Sequence, residues 1–377
     1  MKKIAVYYPY FMGGGAEAVG LWIIQALKDK YDLTLFTLGK IELDRLNSMY
    51  GTSVLNEDIK IKSLLPTLIT NFCYFMMANS KDIRMAFFHL LIRFFKQHSQ
   101  QYDLVLSAYN AMDMGQVGIQ YIHWIKVLEG KKIHRKISNF SEEQILKNLS
   151  IVNSYCVADI TKKIYGIDAK VVYPPVVIDV PNLAWNEKED AFICSGRIVK
   201  AKEPHKVIKI LRLVRERGFD IKLHITGGGG GIYEWQYTNL MKNLVSENSS
   251  WITVHKNLPY KEYVKILSKC KYGIHFKKEP FGISIAEMLK AGAIPFVRSE
   301  GGQLEIVGQH NEELFFNTEE EAVEKIIDVL NNPDKQDKLN QSLIHQKSLF
   351  STQKFMLEIN EIVHEYLTQK IESPMSF

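Results

Sequence analysis

The sequence predicts two tandem, doubly wound α/β domains. Short apolar runs alternate with amphipathic helical stretches along almost the whole chain, a pattern typical of parallel sheets with helices on both faces. A polar, proline-containing break at residues 181–190 divides this alternation into two series. The 377 residues are enough for two domains of about 150 residues each. We therefore expect one domain over residues 1–180 and a second over residues 190–350.

The first series opens with a βαβ unit. A buried strand is predicted at Ile4 to Tyr8, a glycine turn at Gly13 to Glu17, a helix at Ala18 to Leu27 and a second strand at Leu33 to Thr37. Later apolar runs predict four further strands, at residues 104–107, 118–122, 151–153 and 171–173.

The second series has the same rhythm. Its apolar runs predict five strands, at residues 191–194, 222–226, 252–254, 272–276 and 293–297. The stretches between and after them predict helices at residues 205–217, 233–246, 261–270, 284–290, 319–330 and 352–369.

Composition excludes several classes of protein. Apolar residues make up 46% and charged residues 24% of the chain, which excludes a disordered protein or a disulfide scaffold. The net charge of +5 lies entirely in residues 1–182 and is too sparse for a nucleic-acid-binding stripe. The four cysteines have no metal-ligand spacing, and the first residues lack the long apolar stretch of a signal peptide. These features predict reduced thiols and a cytoplasmic location.

Residues 64–98 do not follow the alternation of predicted strands and helices. No residue from Ser63 to Ser80 is charged, and Asp82 to His98 predicts an aromatic-rich helix with Lys and Arg interspersed. The polar residues of the first segment make it a poor membrane-spanning helix. Two interpretations stay open: helices packed on their own domain, or a surface that lies in a membrane interface.

The segment Glu279-Pro-Phe-Gly-Ile-Ser-Ile-Ala-Glu287 sets two carboxylates around a predicted helix start. Glu279 is expected on the loop after the strand at 272–276. The backbone amides of Phe281, Gly282, Ile283 and Ser284 are expected to form an anion site. Glu287, about a turn further on, could accept two hydrogen bonds from a vicinal diol such as a ribose. Two interpretations of the segment stay open on its spacing alone: a site for a sugar nucleotide, or a strand, a turn and an amphipathic helix with two solvated glutamates.

Other candidate site residues also follow predicted strands, where open α/β sheets bind ligands. Gly14 and Gly15 belong to a turn whose amides could meet phosphate, although the pattern lacks a nicotinamide fingerprint. Arg197 and Lys202 supply a planar fork and a point charge suited to a diphosphate. The loop from Thr226 to Gly231 and His123, in the first half, also lie at strand ends.

Taken in order, these motifs resemble glycosyltransferase family 4, the retaining enzymes of the GT-B fold. The resemblance covers nearly the whole chain. It rests on Gly13-Gly-Gly-Ala-Glu17, Asn153-Ser154, Tyr173-Pro-Pro-Val, Ser195-Gly-Arg-Ile with Lys202, the Glu-x7-Glu motif from Glu279 to Glu287, and Glu300-Gly-Gly-Gln-Leu-Glu-Ile306. It implies two Rossmann-like domains facing across a cleft, with a C-terminal helix at about 352–377 that crosses back to the first domain.

The resemblance also implies roles for the residues. Arg197 and Lys202 would neutralise the donor diphosphate as it leaves, while Glu287 would hold the ribose diol. The amides of the helix start would bind sugar hydroxyls and phosphate. Glu279 would contact the transferred sugar and stabilise positive charge at its anomeric carbon, and His123 would touch that sugar from the opposing domain. No metal or other cofactor is expected.

Within the family, three segments look most like mannosyltransferases that extend lipid-linked oligosaccharides: Tyr121-Ile-His-Trp, Val172-Tyr-Pro-Pro and Gly273-Ile-His-Phe. This similarity favours GDP-mannose over a UDP-sugar as donor, and a lipid-linked or polysaccharide acceptor at the cytoplasmic face of a membrane. Lys277-Lys278 and Pro204 depart from the usual pattern, which leaves details of the donor pocket open. The alternatives are a sugar-nucleotide epimerase, a phosphorylase of similar shape, or a non-catalytic partner that binds the nucleotide sugar.

Overall fold

The computed structural model describes residues 1–11, 14–124, 131–178, 183–228 and 235–372. The chain divides into two compact units, one of residues 1–175 with 352–377 and one of residues 176–351. Each unit contains one parallel sheet with helices between its strands. The two sheets confirm the predicted tandem α/β architecture.

The described residues of the first unit form seven strands. They are β1 (Lys3–Tyr7), β2 (Asp32–Thr37), β3 (Ile59–Ser63), β4 (Leu104–Ser107), β5 (Ile119–Ile122), β6 (Leu149–Val152) and β7 (Ala169–Val171). Its helices are α1 (Gly15–Leu27), α2 (Leu43–Tyr50), α3 (Thr67–Asn79), α4 (Lys81–Ser99), α5 (Lys132–Ser138), α6 (Glu142–Lys147) and α7 (Tyr155–Tyr165). The sheet order is β3-β2-β1-β4-β5-β6-β7. Strand β1 therefore lies inside the sheet, with β2 and β3 on one side and β4 to β7 on the other.

Six strands lie within the described ranges of the second unit. They are β8 (Glu189–Ser195), β9 (Lys222–Gly227), β10 (Ile252–Lys256), β11 (Cys270–His275), β12 (Ile294–Arg298) and β13 (Phe315–Phe316). Its helices are α8 (Pro204–Glu216), α9 (Trp235–Glu247), α10 (Tyr260–Lys269), α11 (Ile283–Lys290), α12 (Gln303–Val307), α13 (Glu319–Leu330) and α14 (Pro333–Ser348). The order β10-β9-β8-β11-β12-β13 places β8 beside both β9 and β11.

The chain ends on a long helix, α15 (Thr352–Glu372), that packs on the first unit. The side-chain amide of Asn360 donates to the backbone carbonyl of Ala26 at the end of α1 (2.8 Å). The hydroxyl of Tyr366 donates to the carbonyl of Val117 (2.9 Å). The first unit is therefore built from both ends of the chain. Residues 373–377 lie outside the described ranges.

The division between the units precedes the break predicted at residues 181–190. The amide of Val176 donates to Phe350 (3.0 Å) and its carbonyl accepts a hydrogen bond from Lys290 (2.6 Å), both partners lying in the second unit. Trp185, inside the predicted break, packs edge-on against Tyr272 of β11. These contacts tie the segment to the second unit, and a polar sequence alone did not reveal them. Residues 181 and 182 lie outside the described ranges.

Among the elements absent from the sequence-based predictions, β3 and α14 are two whose side chains show the reason. Strand β3 reads Ile-Lys-Ile-Lys-Ser and lies at the edge of its sheet, where alternate side chains face solvent. Helix α14 has few apolar residues, and only Leu339, Leu343 and Gln346 are buried. Both elements are held in place more by their neighbours than by their own hydrophobic pattern.

The two helices of residues 64–98 have different surroundings. Helix α4 packs into the core of the first unit, where Phe95 is fully buried and its ring meets Tyr7 and Phe36 edge-on. Helix α3 buries Cys73 and Met77 on its inner face. The interpretation of packed helices therefore holds for α4, while α3 also carries an exposed apolar face. No helix in the described part of the chain is both long and apolar enough to cross a membrane.

Candidate donor site in the second unit

The predicted site residues of the second unit gather at one edge of its sheet. Strands β9, β8 and β11 are adjacent and parallel, so their carboxyl ends lie together. Arg197 and Lys202 follow β8, and Glu279 follows β11. Helix α11, which carries Glu287, starts just beyond Glu279. The structure thus brings together four residues that span 91 positions of the sequence numbering, from 197 to 287.

The turns after β8 and β9 touch backbone to backbone. The amide of Gly196 donates to Thr226 (3.0 Å), and that of Ile198 donates to Gly228 (3.1 Å). Gly227 has a φ of +156°, and a Cβ added there would lie 1.8 Å from the carbonyl oxygen of Gly196. Only glycine permits this approach. Residues 229–231 of the predicted glycine loop lie outside the described ranges.

Arg197 is presented to solvent by this pair of turns. Its side chain is exposed, and it forms no hydrogen bond or ion pair with the part of the chain that the structure describes. Its guanidinium is therefore free to bind an anion in a bidentate manner.

Helix α11 starts with unpaired amides. Gly282, at a φ of +108°, accepts hydrogen bonds from Ile285 (2.9 Å) and Ala286 (3.2 Å) through its carbonyl. The amides of Ile283 and Ser284 precede the first bonded turn and have no partner among the described residues. A helix of eight residues adds a partial positive charge at this end. The amides of Ile283 and Ser284 are two of the four predicted to form the anion site, and the binding of an anion here stays a prediction.

The loop before α11 is held by hydrogen bonds to a second loop, which contains Gly302 and Gln303. The side-chain oxygen of the buried Gln303 accepts a hydrogen bond from the amide of Glu279 (2.8 Å). The amide of Gly302 donates to the carbonyl of Glu279 (2.9 Å), and a Cβ on Gly302 would lie 2.1 Å from Pro280. Gln303 was not among the predicted site residues, although the segment containing it was noted.

Glu279 and Lys202 form an ion pair, which the sequence did not predict. One oxygen of Glu279 accepts hydrogen bonds from the Lys202 ammonium and from His275 Nε2, the latter at 3.0 Å. Burial raises the pKa of Glu279, but the hydrogen bonds and charges of His275 and Lys202 outweigh it, so the net pKa is lowered. Glu279 is thus a carboxylate at neutral pH. His275, the last residue of β11, is a positioning residue that the sequence analysis missed.

Glu287 belongs to a hydroxyl network. Its Oε2 accepts a hydrogen bond from the hydroxyl of Tyr263 on α10 (2.8 Å). Ser195 hydrogen-bonds the same Tyr263 hydroxyl, and also Thr226 Oγ1 (2.8 Å). Burial raises the pKa of Glu287 to about 7, partly offset by the Tyr263 hydrogen bond. The second carboxylate oxygen has no hydrogen-bond partner within the described ranges.

In the first unit, the glycine turn differs from its expected form. The amide of Gly14 donates to the hydroxyl of Tyr50 (3.1 Å), and that hydroxyl donates to Glu17 (3.0 Å). Glu17 is buried in the first turn of α1. The Gly14 amide therefore already has a partner in this conformation, and its contact with a donor phosphate stays a prediction. Gly15 begins α1, and Gly13 lies outside the described ranges.

His123 lies at the carboxyl end of β5 in the first unit. Its Nε2 donates to the carbonyl of Ala108 (2.9 Å), and its backbone amide donates to Asn110 (2.8 Å). Burial lowers the pKa of His123 to about 4, although the Ala108 carbonyl partly opposes this. The imidazole is thus neutral at pH 7 and fixed in one tautomer. Its contact with a sugar stays a prediction.

Comparison with known proteins shows that the second unit is similar to glycosyltransferases. Residues 178–346 match the family model described as "Glycosyl transferases group 1". A "GDP-Man:Man(3)GlcNAc(2)-PP-Dol alpha-1,2-mannosyltransferase" of Dictyostelium discoideum is 22% identical over 258 residues, covering 64% of this chain and 51% of the relative. The protein of that name from Xenopus laevis is 29% identical, covering 38% of this chain and 32% of the relative.

The chain thus spans about half, or less, of the length of these two relatives. A "Putative glycosyltransferase YtcC" of Bacillus subtilis (strain 168) is 21% identical, covering 79% of this chain and 74% of the relative.

Solved structures share the fold. Alr3699/HepE of Anabaena, in complex with UDP and glucose, superposes with a TM-score of 0.69 at 14% identity, covering 97% of this chain and all of that chain (100%). WaaG, a glycosyltransferase involved in lipopolysaccharide biosynthesis, gives a TM-score of 0.67 at 12% identity, covering 95% and 99%. Identities this low establish the fold alone, which is GT-B.

Proposed function

Starting from a second unit that carries a glycosyl transferases group 1 domain, we propose that this protein is a retaining glycosyltransferase that uses a nucleotide-diphosphate sugar. The proposal rests chiefly on one observation. Unpaired cationic and N–H donors, Arg197 and the start of α11, lie at the same sheet edge as two half-buried carboxyl groups, those of Glu279 and Glu287. A ligand with a diphosphate, a ribose and a sugar presents groups that match each of these.

The diphosphate needs positive charge when it leaves. Arg197 offers a bidentate fork, and the helix start adds amide donors and a partial charge. Lys202 has three donor hydrogens, so it can bind a phosphate oxygen while it keeps its contact with Glu279. Fixed donors of this kind stabilise the developing charge without reorganisation. We therefore propose that catalysis needs no metal ion at this site.

The nucleoside end would be held by Glu287. Its second oxygen is available for a ribose hydroxyl, while Tyr263 fixes the orientation of the carboxyl group. A pKa of about 7 means that the group is only partly ionised in the free protein at neutral pH. Hydrogen bonds from a diol would favour the ionised form and lower that pKa.

Glu279 would lie nearest to the reacting carbon. Its pKa is lowered, so it supplies a permanent negative charge that can stabilise positive charge on the transferred sugar. A base is not required from the protein if the leaving diphosphate takes the acceptor proton. This assignment gives a front-face substitution in which the bond to the diphosphate breaks as the bond to the acceptor forms on the same face.

We further propose GDP-mannose as the favoured donor and a lipid-linked or polysaccharide acceptor. The names of the Dictyostelium and Xenopus relatives support GDP-mannose and a dolichol-linked acceptor. The UDP and glucose bound by HepE make a UDP-sugar the second choice.

A lipid-borne acceptor agrees with the outer face of α3. Leu68, Phe72 and Phe75 follow one another at helical spacing, with exposed fractions of 97%, 66% and 54%. No charged residue interrupts the helix, and the net positive charge of the chain lies in residues 1–182. An apolar helix face in a basic region suits the surface of an anionic membrane. We propose that α3 lies in the membrane interface.

The donor proposal is tested with purified protein, a panel of GDP- and UDP-sugars and a membrane lipid extract. We expect transfer from GDP-mannose and an α-linked product by NMR. Glu279→Gln should lower turnover about a hundredfold or more, since charge stabilisation of a transition state commonly contributes several kcal/mol. Glu300→Gln is the matched control, because Glu300 lies on a nearby loop but is half exposed.

The outcomes separate the alternatives. Scrambling of the sugar without an acceptor would identify an epimerase. Tight donor binding with neither transfer nor hydrolysis would identify a non-catalytic partner. Either result, or no reaction with any donor, would refute the transferase.

Membrane contact is tested by flotation with vesicles that contain anionic lipid. We expect the wild type to float and Phe72→Asp with Phe75→Asp to stay with the unbound protein. Leu357→Asp is the control, since Leu357 is similarly exposed (59%) on α15. Equal flotation of the double variant and the wild type would refute the proposal that α3 lies in the membrane interface.

A further inference from the structure

A second candidate site lies at the opposite edge of the same sheet. Lys188 immediately precedes β8, Ser268 lies just before β11, and Gly292 lies just before β12. Lys188 and Gly292 line a cavity of about 360 Å³ at this edge. The donor site uses the carboxyl ends of β8 and β11, so the two sites are separated by the length of the strands.

Lys188 is the most deeply buried cation of this cavity, with 8% of its surface exposed. Its ammonium donates to the carbonyls of Ser268 (2.6 Å) and Ala291 (2.8 Å). Two of its three hydrogens are thereby used, and no carboxylate of the described residues pairs with it. A buried ammonium without a counter-anion is costly. Its pKa is accordingly lowered to about 8, chiefly by burial.

Lys347 shares the space beside Gly292. A Cβ built on Gly292 would lie 3.7 Å from Lys188 Nζ and 3.7 Å from Lys347 Nζ. The two ammonium groups are therefore at most 7.4 Å apart, a span that one oxyanion can bridge with two charge-assisted hydrogen bonds of about 2.8 Å each. Gly292 has a φ of +77°, and its missing side chain leaves this space open.

The charges around the cavity do not balance. Three lysines line it, Lys188, Lys290 and Lys347, against one carboxylate, Asp337. Lys290 donates to the carbonyl of Val176, and Lys347 has no partner among the described residues. The surplus of two positive charges matches a phosphate monoester, which carries a charge of about −1.5 to −2 at pH 7.

The cavity also has an apolar side. Trp185 and Ile344 line it, and the Trp185 ring is fixed edge-on against Tyr272. A bare inorganic ion would leave this wall unused, whereas an organic group attached to the phosphate would cover it.

We propose that this cavity binds a small phosphate monoester, with the phosphate bridged by Lys188 and Lys347 and its organic group on Trp185. The site is separate from the donor site and does not depend on the donor or acceptor proposed above.

The test uses the full chain with phenyl phosphate and inorganic phosphate as probes, followed by calorimetry at constant ionic strength. We expect phenyl phosphate to bind and to bind more tightly than inorganic phosphate. Lys347→Gln should weaken its binding about tenfold or more, the effect of one charge-assisted hydrogen bond. Lys338→Gln, on the same helix but outside this cavity, should bind as the wild type does.

Arg197→Gln separates this site from the donor site, since it removes a cation only there. We expect it to leave phenyl phosphate binding unchanged. In a second measurement, phenyl phosphate should protect Lys347 from acylation, as read by mass spectrometry. Equal binding by Lys347→Gln and the wild type, loss of binding in Arg197→Gln, or no binding of phenyl phosphate at all would each overturn the proposal.

Discussion

Replacing Glu287 with glutamine should raise the stability of the second unit at neutral pH and weaken the binding of the donor. Burial raises the pKa of Glu287 from 4.5 to about 7, so the folded state holds its proton more tightly than the unfolded state does. The stability that this carboxyl group contributes is complete below about pH 4.5 and is lost as the pH rises to about 7. Glutamine keeps the shape of the neutral acid and an oxygen that can accept the Tyr263 hydrogen bond.

The size of the effect follows from the pKa. A change from 4.5 to about 7 corresponds to about 3 kcal/mol above pH 7, since one pKa unit is about 1.4 kcal/mol. About 1 kcal/mol of this is already lost at pH 5 by the same relation. The stability advantage of Glu287→Gln should therefore grow by about 2 kcal/mol between pH 5 and pH 8.

The assay measures the free energy of unfolding of wild type and variant in urea at pH 5, 6, 7 and 8. Amide hydrogen exchange of the second unit shows that the change in stability lies in that unit. Glu247→Gln is the control, because Glu247 is an exposed glutamate with no ion pair among the described residues, and its curve should stay parallel to that of the wild type. Donor KM should rise about tenfold or more in Glu287→Gln, since a charged hydrogen bond to ribose is lost. A gap in stability that does not change with pH would refute the raised pKa.

The other substitutions test the remaining parts of the fold and site. Arg197→Gln should raise donor KM about tenfold or more while the melting temperature stays constant, because its side chain has no partner in the described chain; a lowered melting temperature would contradict this. Gly227→Ala should destabilise the protein in thermal unfolding, since its Cβ would overlap the Gly196 carbonyl (1.8 Å); wild-type stability would show that the two turns can separate. Phe95→Ala should cost about 3 to 5 kcal/mol in urea unfolding, whereas Phe72→Ala should cost less than about 0.5 kcal/mol. Similar losses for both would contradict their different burial.

Most of the sheet elements could be predicted from local sequence. Strands such as Leu104–Ser107 and helices such as Glu319–Leu330 have the predicted bounds, because each is marked by its own apolar pattern and capping residues. Strand β3 and helix α14 could not be predicted in this way. Their own patterns are weak, and their neighbours in the sheet and helix layers decide their conformation.

The candidate site was predicted in its composition but not in its pairings. Arg197, Lys202, Glu279 and the start of α11 follow strand ends, and parallel strands bring such ends together. The ion pair of Lys202 with Glu279 joins two loops that the sequence treats as independent. The side-chain contacts of His275 and Tyr263 likewise depend on how α10 and β11 lie against β8.

The sequence by itself determined most of the strands, the parallel sheets and the edge at which the candidate donor site lies. These follow from hydrophobic periodicity and the geometry of βαβ connections, which are local properties. Only the tertiary structure decided that the Gly14 amide is already engaged, that α4 is core while α3 is exposed, and that the ammonium groups of Lys188 and Lys347 both lie near Gly292. Each of these depends on how residues distant in the sequence pack together, and no single segment encodes that packing.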